Sequence, residues 1–95
     1  MNNTNAVSEG TVGYAVDVDF ALTAEEAGVT LPDALVNQIG GSKYTLTIPN
    51  ATDSTKVCNV YLDNNLIAEN KAQGEKVEIT LPNEDCLITL EYVTA

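Results

Sequence analysis

Asp17 and Asp19 stand two apart in a run where small or acidic residues alternate with apolar ones. That spacing puts both carboxylates on one face of an extended chain. Paired carboxylates can hold a calcium ion or share acid–base work. The chain has no histidine to complete either set, and no D-x-D-x-D-G calcium loop. Asp17 and Asp19 therefore read as a solvated strand face. A weak calcium site, joined by Glu84 and Asp85, is the alternative, and no metal or cofactor is expected. Cys58 follows Lys56 by two residues, so a cation could lower its pKa as in a nucleophilic cysteine. With no base nearby in sequence, a buried structural thiol is the preferred reading. Cys86 is read the same way. The two cysteines match no zinc spacing and are expected to be free. There is no G-x-S-x-G elbow and no phosphate-cradling glycine loop, and the chain is read as non-enzymatic. Asn2-Asn3-Thr4 and Asn50-Ala51-Thr52 match the glycosylation triplet, and chance accounts for both in a chain rich in Asn and Thr.

Charge narrows the partners. Fourteen acids face four lysines and no arginine, for a net charge of −10. Phosphate binding needs a basic patch that releases counterions, so nucleic acid is excluded as an expected partner. An anionic membrane surface is disfavoured for the same reason. No apolar run reaches the length of a membrane span, and the first ten residues lack the pattern of a signal peptide. An apolar fraction of 44% in 95 residues suits one folded domain.

The elements follow from periodicity. Thr11–Leu22 alternates without a slip: Val12, Tyr14, Val16, Val18, Phe20 and Leu22 share one face. Such a face must be covered, either within the chain or by a neighbour. Residues 1–10 are polar and end in glycine, which predicts a flexible N-terminal arm ahead of a single domain over 11–95. Leu31, Ala34, Leu35 and Ile39 fit helical spacing. Thr30, Pro32 and Asp33 suit a helix start and Gly40-Gly41 a stop, predicting a short helix over 31–39. Strands are predicted at 43–48, 56–63, 66–68, 76–81 and 86–93, with turns at Asn64-Asn65 and Gln73-Gly74. Val16, Val18, Phe20, Leu46, Val60, Ile79, Ile88 and Leu90 form the predicted core.

This pattern predicts an all-β fold: a small immunoglobulin-like β-sandwich of about six to seven strands with one short helix. In general look the chain resembles small immunoglobulin-like modules, among which phage capsid decoration proteins, pilus subunits and carbohydrate-binding modules are found. That resemblance implies a fold and leaves function open. The expected function is structural assembly: an acidic virion component on the outer surface of a phage capsid or head. Its partners would be copies of itself in a homo-oligomer, a capsid shell protein, or both. Contact would run through the arm and strand, with Val7, Val12, Tyr14 and Val16 at the interface. Two alternatives are a cell-surface pilus or filament subunit using donor-strand exchange, and a carbohydrate- or calcium-binding module of a larger protein.

Overall fold

The computed structural model describes residues 13–95. Seven strands run in order: β1 Ala15–Leu22, β2 Leu35–Ile39, β3 Lys43–Thr47, β4 Lys56–Leu62, β5 Asn65–Lys71, β6 Lys76–Thr80 and β7 Cys86–Thr94. They form a five-stranded sheet in the order β2-β1-β7-β4-β5 and a two-stranded sheet of β3 and β6. The fold is all-β, with no helix among the described residues.

The two ends of the described chain meet at the middle of the larger sheet. β1 and β7 pair in parallel from Val18↔Cys86 to Leu22↔Leu90. A parallel pair cannot be joined by a tight turn, and here the whole intervening domain forms the connection. On its other flank β7 pairs with β4 in unbroken antiparallel register, Lys56↔Thr94 through Leu62↔Ile88. β4 turns into β5 at Asp63 and Asn64, with φ of 49° and 72°. Two consecutive left-handed residues make the tight hairpin turn whose twist matches that of the strands, and Asp and Asn tolerate that conformation. The turn lies one residue before the predicted Asn64-Asn65.

The inner faces of both sheets carry the alternating apolar residues. Val18, Cys58, Val60, Ala68, Cys86, Ile88 and Leu90 pack from the large sheet against Leu46, Ile48, Val77, Ile79 and Leu81, and Val16 is buried as well. Seven of the eight predicted core residues are buried. The exception, Phe20, is half-buried and stacks at a tilt on Tyr44, with ring centroids 5.9 Å apart. Its flank is open because β2 pairs with β1 only as far as Val18.

The predicted helix over 31–39 is not formed. Residues 31–34 are irregular and Leu35–Ile39 is an edge strand. A nine-residue helix is marginal without a packed face, whereas here β1 offers an open ladder. The chain passes between the sheets at Gly40-Gly41. The Gly40 N–H donates to Tyr14 O at 2.7 Å in the larger sheet, and the Gly41 N–H to Leu81 O at 2.8 Å beside the smaller one. Gly40 has no room for a Cβ against Asn83.

Thr23-Ala-Glu-Glu26 has the spacing of a helix-capping box, but no helix follows it. The 23–34 loop instead closes the lower end of the domain. The Thr52 N–H donates to Ala27 O at 2.7 Å, and Gly28 packs directly on Thr52. Lys56 Nζ lies 3.1 Å from Glu26 Oε1, an ion pair largely screened from solvent.

Candidate functional site

Neither edge of the five-stranded sheet is a plain strand. β2 is bulged against β1 between Val16 and Val18. The bulge is built on Asn37 at φ 55°, whose N–H donates to Asp17 Oδ1 at 3.1 Å. β5 is bulged against β4 between Cys58 and Val60 and again between Val60 and Tyr61. There Asn70, also at φ 55°, donates its N–H to Asn59 Oδ1 at 2.8 Å. In each case the amide freed by the bulge is taken up by a side chain of the inner neighbour, so no donor is orphaned.

A bulge turns alternate side chains outward. Val36 is 63% exposed and Ile39 49%, with Tyr14 beside them at 45%. The sequence of β2, LVNQI, contains no charge. At the opposite edge Leu66 is 49% exposed and Ile67 42%, while Leu87, on the central strand β7, is 38% exposed. Asn65–Ala68, the first half of β5, is also uncharged. Among the described residues, three of these six exposed apolar side chains thus lie at the β2 edge, two at the β5 edge and one on the central strand.

The predicted site residues fall as follows. Asp17 and Asp19 are both exposed on β1. Asp17 is engaged in the fold: besides receiving the Asn37 bond, its own N–H donates to Asp85 Oδ1 at 2.8 Å. Among the described residues no three Asp, Glu, Cys or His side chains form a metal-binding group. Of the expected interface residues, Val7 and Val12 lie outside the described residues, as does the arm over 1–10. Tyr14 is exposed, whereas Val16 is 1% exposed and packs inside its own chain. The face predicted to need a cover is thus covered internally at Val16 and Val18 and only in part at Phe20 and Leu22.

Both cysteines are free and buried. Cys58 faces Tyr92 in the β4–β7 register. The extended stretch Cys86–Tyr92 therefore separates the thiols by roughly 20 Å, far beyond the Cα separation of about 7 Å that a disulfide tolerates. Burial pushes both thiols up to about 11, so they stay protonated at neutral pH. The Lys56 ammonium is committed to Glu26. Cys58 thus lacks the activated thiolate a nucleophile requires.

On the outer face Glu91 Oε1 accepts from Asn59 Nδ2 and from the Tyr61 hydroxyl, each at 3.0 Å. These bonds hold the Glu91 carboxyl below its ordinary range and raise the Tyr61 phenol. The network braces β4 and β7 and, through Asn59, the β5 bulge. An open depression lies beneath the lower end of β1, lined by Leu22, Glu25, Glu26, Ala27 and Val29. It presents no paired donor and acceptor set for chemistry.

Compared with known proteins, the chain matches no family model, no curated protein and no solved structure. The exposure of Val36, Ile39, Leu66 and Ile67 at the two edges was missed by periodicity. Its signal in the sequence is an asparagine within each edge strand, Asn37 and Asn70, where a left-handed residue lets a strand bulge.

Proposed function

We propose that this chain is a non-enzymatic structural assembly protein. It serves as a component of a phage virion, on the outer surface of the capsid or head, contacting copies of itself and the shell protein. The observation that carries this reading is the uncharged edge strand β2, with Val36 and Ile39 exposed beside Tyr14. In a chain of net charge −10 such an edge is where another protein surface can approach without like-charge repulsion. Natural sheets normally blunt their edges with charge, and β2 carries none. The acidity is repelled by packaged nucleic acid, which supports a place on the outside of a shell.

The immunoglobulin-like form of the sandwich belongs to the same proposal. Seven short strands in two facing sheets support it, although the five-plus-two division departs from the four-plus-three of the constant-type domain. Because Ala15–Leu22 is used within its own sheet, the assembly contact is assigned to the edges and the preceding segment.

Light scattering on the purified chain tests the reading. A defined oligomer is expected, weakened by deletion of residues 2–9 while the melting temperature is held. A chain that stays monomeric at all accessible concentrations overturns it.

A further inference from the structure

Two separate apolar patches at opposite edges of one sheet pose a question of symmetry. Tyr14, Val36 and Ile39 lie at the β2 edge; Leu66 and Ile67 lie at the β5 edge. A two-fold contact of β2 with β2 leaves the β5 patch in water, and a two-fold contact of β5 with β5 leaves the β2 patch. One arrangement covers both with a single kind of contact: the β2 edge of one copy against the β5 edge of the next. Resting on the assembly reading above, we propose that copies of this chain associate head-to-tail, edge to edge, through the β2 patch of one copy and the β5 patch of the next.

Strand polarity permits this contact, as it does a two-fold contact of either edge. β1 and β7 are parallel, and β2 is antiparallel to β1. β4 is antiparallel to β7, and β5 to β4. β2 and β5 therefore run in opposite directions across the sheet. Placing the next copy beside the first, in the same orientation, brings antiparallel neighbours together with no inversion. Charge favours it. Copies that each carry −10 repel, yet β2 and the first half of β5 are both uncharged. The charges of β5, Glu69 and Lys71, fall in its second half. The bulges at Asn37 and Asn70 break the regularity of both edges, so the contact is made by side chains and not by a long continuous ladder.

Single-cysteine probes test the geometry. Val36→Cys and Ile67→Cys place thiols on exposed positions of the two edges, while Cys58 and Cys86 stay buried and protonated. Each variant is treated with a short bis-maleimide, alone and as an equimolar mixture. Cross-linked dimer is expected in the mixture and lost from either variant alone, and the double variant is expected to give higher multimers. Cross-linking of Val36→Cys alone, or of Ile67→Cys alone, overturns the head-to-tail arrangement in favour of a two-fold one. Absence of cross-links in a chain that light scattering shows to be oligomeric overturns this arrangement and leaves the assembly reading standing. A wild-type chain that is monomeric throughout overturns both.

Discussion

β2 and β5 close the two edges of the same sheet, and each does so through a bulge built on a left-handed asparagine. Their attachments differ. β5 is the return strand of a hairpin, tied to β4 by the Asp63-Asn64 turn, and it buries Ala68 in the core. β2 sits beyond a long loop and buries no side chain fully. Its hold is the short ladder to β1, the Asp17 bond to Asn37 and the Gly40 bond to Tyr14. β5 thus belongs to the core, whereas β2 is laid on it. The difference teaches that the two edges divide the work of the sheet unevenly: both offer apolar surface, but β5 buries Ala68 fully, whereas β2 packs only the half-buried Leu35 against the core.

A charge placed on each edge should break the symmetry most sharply. Ala68→Asp puts a carboxylate into the core and should cost at least about 3 kcal/mol, as an uncompensated buried charge does. Val36→Asp should change stability by no more than about 0.5 kcal/mol, because the side chain already faces water. Urea melts of the two variants measure both. Equal costs would show that β2 also carries core side chains.

Next in size are the bulges themselves. Asn37→Val and Asn70→Val each force a β-branched residue into the left-handed region, at about 1–2 kcal/mol per site. Glycine at either position should be tolerated, since it enters that region freely. If valine is tolerated as well as glycine, the residues are not left-handed in solution and the bulges are absent.

The same bulges explain what could be read in the sequence. The central strands β1, β4 and β7 keep a clean period of two through Val16–Val18, Cys58–Val60 and Cys86–Leu90, and they were legible. At the edges the extra residue shifts the phase. In β2, Leu35 and Gln38 are half-buried while Val36 and Ile39 face water, a spacing of three that imitates a helix. The helical spacing of Leu31, Ala34, Leu35 and Ile39, with Pro32 and Gly40-Gly41 as apparent boundaries, produced the predicted helix over 31–39. In β5 the phase slips between Leu66 and Ala68, so only Leu66–Ala68 read as a strand when the element continues to Lys71. The apolar edge patches went unseen for the same reason. The helical pattern set Ile39 on one apolar face with Leu35, whereas in the strand Leu35 is half-buried and Ile39 exposed.

The acceptors behind the bulges should differ by a smaller margin. Asp17→Ala removes the partner of the Asn37 N–H, and Asn59→Ala removes the partner of the Asn70 N–H. A net hydrogen bond contributes about 1 kcal/mol. Asn59→Ala should cost more, because Asn59 also donates to Glu91. Amide exchange at Asn37 and Asn70 gives the local readout: each substitution should speed exchange at its own edge and leave the other unchanged. Coupled acceleration at both edges would mean that the sheet opens as one unit.

The smallest effect is acidic and belongs to the β5 side. Glu91 accepts from Asn59 and Tyr61, and these bonds hold its carboxyl below the ordinary value of 4.5. A carboxyl depressed in the folded state binds its proton first in the unfolded chain. Its contribution to stability is therefore fully present above the unfolded value of about 4.5 and is lost as pH falls through the lower, folded value. Glu91→Gln keeps an oxygen acceptor in place but cannot titrate there. At neutral pH the wild type should melt higher than Glu91→Gln, since a charged acceptor bonds more strongly than a neutral one. Below pH 4.5 the two melting temperatures should converge. A constant gap across that range would show that Glu91 does not carry its charge into these bonds, and that Asn59 is held at the β5 bulge by its neutral contacts alone.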